Sequence, residues 1–240
     1  MQSLQGKTAI ITGAGKGLGK AMAVALAAEG VHLGLIARTA SDLEALSESL
    51  KTINPDITVA YATADIAQYE EVKTAVASIT ATLKTVDILI NSAGIFKAGG
   101  ILELPVEEWE QVFHVNVLGT YYVVREVLPF ILQQGKGDVI NIASTAGTKG
   151  NAKLSAYGAS KAAVINFSES MMQELRKSNI RVTTLNPSTI ATDMALNANL
   201  TDGNEEKVLQ PEDFAFLVIN NLKLPQRAFV KDLGLWSTNP

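Results

Sequence analysis

Hydrophobic and polar positions fall into two alternating regimes along this chain. Short apolar runs carry little polar alternation: TAIIT (8–12), HLGLIA (32–37), ITVAYAT (57–63), DILIN (87–91), DVINIAS (138–144), RVTTLN (181–186) and RAFV (227–230). Longer segments between them, such as LGKAMAVALAAEG, SDLEALSESLKTI and QYEEVKTAVASITATLK, repeat their apolar positions at helical spacing. Strands apolar on both faces and separated by helices predict a parallel sheet covered on both sides. Right-handed crossovers then make the sheet doubly wound, an α/β Rossmann fold with one strand for each of the seven runs. Ser41 before DLE and the QPED sequence at Gln210 are predicted helix starts. Pro129 is predicted to kink or end the long helix that begins near Pro105. No repeat, low-complexity stretch or linker interrupts the pattern, so residues 1–240 are expected to form a single domain. The polar, weakly periodic segment 193–210 is expected to form a mobile flap over a substrate.

Composition narrows the function classes. The chain is 47% hydrophobic and 18% charged, which supports one sizeable core. Its net charge of −4 lacks the basic footprint of nucleic-acid binding, and it disfavours adhesion to an anionic membrane surface. No run is read as long enough for a transmembrane helix, and the N-terminus has no signal-peptide h-region. These features predict a cytoplasmic protein. The absence of cysteine excludes disulfides and thiol catalysis. With His32 and His114 the only histidines, no metal site is expected.

TGAGKGLG (12–19) follows the first strand and opens the first helix. Gly13, Gly15, Gly17 and Gly19, with Lys16 and Leu18 among them, suit a tight turn that brings backbone N–H groups against a pyrophosphate. The acid that normally takes the ribose 2′-hydroxyl is missing from the end of the second strand, where Ala37 and Arg38 stand. Asp42 follows soon after but lies inside the next helix, and is not counted as that acid. A single surface cation is unremarkable alone. Arg38 and Lys16 together, with no acid at the strand end, favour NADP(H) over NAD(H).

SAYGASKAAV (155–164) carries a phenol and an ammonium, Tyr157 and Lys161, at a helical spacing that puts them on one face. A free tyrosine titrates near ~10 and is a poor acid at neutral pH, whereas a neighbouring ammonium favours its phenolate. Taken alone, the pair reads as a surface contact.

The motifs together resemble the short-chain dehydrogenases/reductases, and within them the 3-oxoacyl-[acyl-carrier-protein] reductases. TGAGKGLG is similar to the family's TGxxxGxG loop, and ADI (64–66) resembles its adenine-contacting pair, here Asp65 and Ile66. NSAG (91–94) resembles NNAG, which implicates Asn91, Ala93 and Gly94, with Ser92 replacing the second asparagine. Asn116 in HVNVLG, Ser144 at the end of the fifth strand and YGASK match the remaining catalytic positions. NPSTIAT (186–192) resembles the stretch that holds the nicotinamide carboxamide through Pro187, Ile190 and Thr192, with Ser188 replacing a frequent glycine.

The resemblance implies reduction of a small-molecule or thioester ketone with NADPH. Tyr157 would be the proton donor, Ser144 the carbonyl partner, and Lys161 the ligand of the nicotinamide ribose. Asn116 would hold a water linked to Lys161. It also implies a homo-oligomer, dimer or tetramer, built on the helices around 105–134 and 155–178. A sugar, pteridine or xenobiotic carbonyl as substrate stays open, as does a non-catalytic NADP-binding redox sensor. His114, Trp109 and Trp236 are read as surface, packing or interface residues.

Overall fold

Seven strands alternate with helices along the chain in the computed structural model, which describes residues 1–238; Asn239 and Pro240 fall outside it. The first half runs β1 (Thr8–Thr12), α1 (Gly17–Ala28), β2 (His32–Ala37), α2 (Ala40–Ile53), β3 (Val59–Thr63), α3 (Tyr69–Leu83) and β4 (Ile88–Asn91). A composite helix follows, with α4 (Val106–Phe113), a π-helical segment (His114–Gly119) and α5 (Thr120–Gln133). The second half is β5 (Gly137–Ile142), α6 (Ser155–Leu175), β6 (Ile180–Pro187), the short α7 (Asp193–Asn197), α8 (Pro211–Leu222) and β7 (Asp232–Leu235).

The strands form one sheet in the order β3-β2-β1-β4-β5-β6-β7, and every neighbouring pair is parallel. This is the expected doubly wound Rossmann fold. Chain order reverses between β1 and β4, so the loops leaving those strands diverge and open a crevice at their carboxyl ends. Strand residues feed two cores alternately. Ala9 and Ile11 join Leu26, Leu43 and Phe214 under α1, α2 and α8, while Ile10 joins Ile79, Val127 and Met171 under α3, α5 and α6.

Four sequence-based expectations need correction. The seventh strand is not RAFV but Asp232–Leu235, whose residues alternate between exposed and half-buried. An edge strand pairs on one side only and need not be apolar on both faces. RAFV instead runs as a loop whose Ala228 and Val230 carbonyls accept hydrogen bonds from Arg181 and Thr183. Pro129 does not end its helix, since α5 continues to Gln133. Proline removes its own N–H and crowds the carbonyl four residues back, and both Pro129 and Arg125, which carries that carbonyl, sit on the exposed face. A π segment lies earlier in the same run. Ser41 is not a cap either: α2 starts at Ala40 with Thr39 before it. Gln210, by contrast, forms a reciprocal capping box with Asp213 ahead of Pro211.

The fourth correction concerns length. The continuous helical run Val106–Gln133 spans 28 residues with a best mean hydropathy of 1.3, long and apolar enough by those measures alone to cross a membrane. In the fold it lies along the sheet, with Val112, Val123, Val127 and Ile131 fully buried.

Candidate active site

A cavity of about 650 Å³ occupies the crevice, walled by the loops that leave β1, β2, β3, β4, β5 and β6. Its floor at one end is the glycine loop. Gly13 adopts φ +66°, and a Cβ there would lie 2.8 Å from the Ala93 Cα, so only glycine lets the two loops approach this closely. Lys16 precedes α1 without capping it through its side chain, and among the described residues no side chain accepts from the first N–H groups of the helix. This loop fits a dinucleotide pyrophosphate.

Sixteen of the residues singled out from the sequence line this cavity: Gly13, Gly15, Lys16, Gly17, Leu18, Arg38, Asp65, Ile66, Ala93, Gly94, Ser144, Tyr157, Lys161, Pro187, Ile190 and Thr192. Gly19, Asn91 and Asn116 do not. Gly19 lies behind the wall because a Cβ on it would sit 2.2 Å from the Gly13 carbonyl oxygen, which makes it a packing glycine. Asn91 is buried in the sheet, donating to Asn141 Oδ1 at 2.8 Å, and Asn141 in turn donates to Ser168 Oγ at 2.8 Å.

Asn116 sits in the π segment with its side chain fully engaged. Its Oδ1 accepts from Ile95 N at 2.8 Å, and its Nδ2 donates to Ile95 O and Ser160 Oγ, both at 3.0 Å. Its backbone carbonyl accepts from Thr120 Oγ1 at 2.8 Å. Asn116 therefore ties the loop after β4 to α6, rather than presenting its amide to the cavity.

The opposite end of the cavity holds the phenol and the ammonium. One turn of α6 separates Tyr157 from Lys161, and the Lys161 Nζ lies 5.7 Å from the centre of the Tyr157 ring. Lys161 is 6% exposed and donates to the Ile142 carbonyl at 2.8 Å. Burial lowers its pKa from 10.5 to about 8. Ser144 lies two residues past the end of β5, where its Oγ caps the turn Thr145–Gly147 by accepting from Ala146 N at 3.1 Å. Burial pushes the Tyr157 phenol up, and a hydrogen bond with the Ser144 hydroxyl pulls it partly back. Ser144 is thus the group beside the phenol that lowers it, while the Lys161 hydrogen bond is directed to the strand end.

Phe96 packs its ring edge-on to Tyr157, with centroids 5.0 Å apart. With Ile95, Leu154, Met194 and Leu200 it contributes apolar surface to the cavity lining. Met194 and Leu200 come from the segment expected to be a flap, which carries α7 and is pinned at Ile190 by a bridge to Leu209. Phe96 gave no motif signal. Thr12 opens the glycine motif but was not singled out, and its Oγ1 accepts from Ser92 N and Ala93 N at 3.1 Å and fixes the spacing of the two central loops.

At the glycine-loop end, Asp65 Oδ1 accepts from Ala67 N at 3.0 Å, which shapes the turn after β3 while its side chain still faces the cavity. Arg38 is exposed on the rim. Lys16 Nζ lies 3.6 Å from Asp42 Oδ2, and Asp42, inside α2 as expected, also lines the cavity.

The model of the short chain dehydrogenases matches residues 7–203. The chain is 36% identical over 233 residues to an uncharacterized oxidoreductase of Staphylococcus saprophyticus, covering 97% of this chain and 98% of that protein. Among solved structures it superimposes on levodione reductase with a TM-score of 0.89 at 27% identity, over 96% of both chains. It also superimposes on L-sorbose reductase from Gluconobacter frateurii, complexed with NADPH and L-sorbose, with a TM-score of 0.89 at 27% identity over 98% and 97% of the two chains.

Proposed function

The chain belongs to the short-chain dehydrogenase/reductase family of oxidoreductases, and from that premise we propose that it reduces a ketone to a secondary alcohol with NADPH. The observation that carries this reading is one cavity with two differently equipped ends. A glycine loop and cations lie at one end, and Ser144, Tyr157 and Lys161 converge at the other.

When bound, the nicotinamide supplies the hydride. The residues of the chain do the rest. Ser144 Oγ, whose lone pair accepts from Ala146 N, would turn its hydroxyl hydrogen from Tyr157 to the carbonyl oxygen. Tyr157 gives its phenolic proton to that oxygen as the alkoxide forms, and burial keeps the phenol protonated until then. Lys161 would hold the ribose of the cofactor, and it carries its charge below about pH 8. Asn116 positions α6 through Ser160 and the Ile95 backbone. Arg38 and Lys16 supply the cations for a 2′-phosphate.

The apolar surface that Phe96, Leu154, Met194 and Leu200 give the lining suits a ketone with a hydrocarbon body. That lining and the motif resemblance both favour a 3-oxoacyl thioester, its ketone at Tyr157 and its alkyl part against Phe96. Residues 1–240 are taken as one domain, acting in the cytoplasm as a dimer or tetramer through the composite helix, where Leu118 and Tyr121 are exposed.

Tyr157→Phe is the test. It removes the proton and keeps the ring, so turnover of acetoacetyl thioesters and simple ketones should vanish while NADPH binding stays within a few-fold. Retained turnover would refute the assignment. Tight NADPH binding by the unaltered protein with no oxidation across the panel would favour a redox sensor instead.

A further inference from the structure

We propose that Asp42 is the adenosine-ribose acid of this chain, supplied from α2 instead of β2, and that through it the same cavity also takes NAD(H). The inference rests on the reading of the cavity as a dinucleotide site. In that kind of site a carboxylate at the end of the second strand accepts a hydrogen bond from the ribose 2′-hydroxyl. Ala37 holds that position here and cannot do so.

Space, rather than sequence, supplies the replacement. A Cβ built on Gly15 would lie 3.5 Å from the Ala37 Cβ, 3.1 Å from the Asp42 Cβ and 3.6 Å from Asp42 Oδ2. Ala37 and Asp42 therefore abut the same point of the glycine loop, although five positions separate them. Asp42 lies in the first turn of α2, where the positive end of the helix stabilises a carboxylate. Its side chain is 28% exposed, it faces the cavity, and it has Lys16 Nζ at 3.6 Å.

Arg38, on the same rim, makes no hydrogen bond or ion pair among the described residues. A ribose hydroxyl can donate to Asp42 as it stands, because a carboxylate only accepts. A 2′-phosphate is repelled by Asp42 and has to draw Lys16 away from it, with Arg38 as the second cation. The three side chains thus accommodate either nucleotide, and Asp42 sets the ratio between them.

Dissociation constants of NADP+ and NAD+, measured by titration calorimetry, test this without turnover. The unaltered protein should bind both. Asp42→Ala should weaken NAD+ about tenfold, the loss expected for one hydrogen bond to a charged acceptor. It should leave NADP+ unchanged or tighter. Asp42→Asn, which keeps the side-chain shape, should move the ratio the same way, and an unchanged melting temperature would show that folding is not the cause. NAD+ binding that is undetectable in the unaltered protein, or a ratio unmoved in both variants, would overturn the role of Asp42 and leave the NADPH reading standing. Failure of both nucleotides to bind would overturn the dinucleotide reading itself.

Discussion

Replacing Lys161 with methionine should make the nucleotide-free protein more stable at neutral pH while it abolishes turnover. The ammonium is 6% exposed, and burial lowers its pKa from 10.5 to about 8. Holding it charged in the folded state therefore costs about 3 kcal/mol at pH 7 relative to the unfolded chain. Methionine has similar length and no charge, but it gives up the hydrogen bond to the Ile142 carbonyl, which offsets about 1–2 kcal/mol of the gain.

The net effect is a stabilisation of about 1–2 kcal/mol, and each kcal/mol raises the melting temperature by about 2–4 °C for a chain of this size. The sign reverses with pH. Between about 8 and 10.5 the unfolded chain holds the Lys161 proton and the folded chain does not, so stability of the unaltered protein rises with pH across that window. The advantage of Lys161→Met should accordingly shrink from pH 7 and be gone by pH 10. Melting curves of both proteins at the two pH values measure it. A variant less stable at pH 7, or a difference that does not change with pH, would refute the account of Lys161 as a buried, strained charge.

Other perturbations follow from the same geometry. Arg38→Asp puts a carboxylate on the rim beside Asp42 and should shift cofactor preference towards NADH, read as the ratio of kcat/KM for the two cofactors. Gly19→Ala forces a Cβ to within 2.2 Å of the Gly13 carbonyl oxygen, and should cost about 1–3 kcal/mol in a thermal melt and weaken dinucleotide binding. Arg181→Ala removes a guanidinium that is 4% exposed, pairs with Asp138 at 2.6 Å and donates to the Leu222, Leu224 and Ala228 carbonyls. An unpaired buried carboxylate is left behind, and unfolding should become easier by about 3–5 kcal/mol. Replacing both partners with leucine should recover much of that loss.

Six of the strands were legible in the sequence, five of them because central parallel strands are buried on both faces and continuous apolar runs are the direct trace of that burial, while the edge strand β3 was legible from its own β-branched and aromatic run. TAIIT and HLGLIA coincide with β1 and β2 to the residue. β7 was not legible, since DLGL at the edge needs apolar residues on one face only, and the more apolar RAFV drew the assignment. Pro129 misled for a related reason. Its effect on a helix depends on which face it occupies, and only the packed structure assigns faces.

At the candidate site, the glycine loop and the Tyr157–Lys161 spacing were determined by the sequence, because turn geometry and helical periodicity are local. Everything that depends on distance between elements was decided by the tertiary structure. It turned the Asn116 amide onto Ile95 and Ser160, directed Lys161 to the Ile142 carbonyl, and set Phe96 against Tyr157. It also brought Asp42 to the point beside Gly15 where a strand residue would otherwise supply the acid. Local spacing names the groups that can do chemistry; packing fixes the distances and the solvent exclusion that decide which of them meet and in what ionisation state.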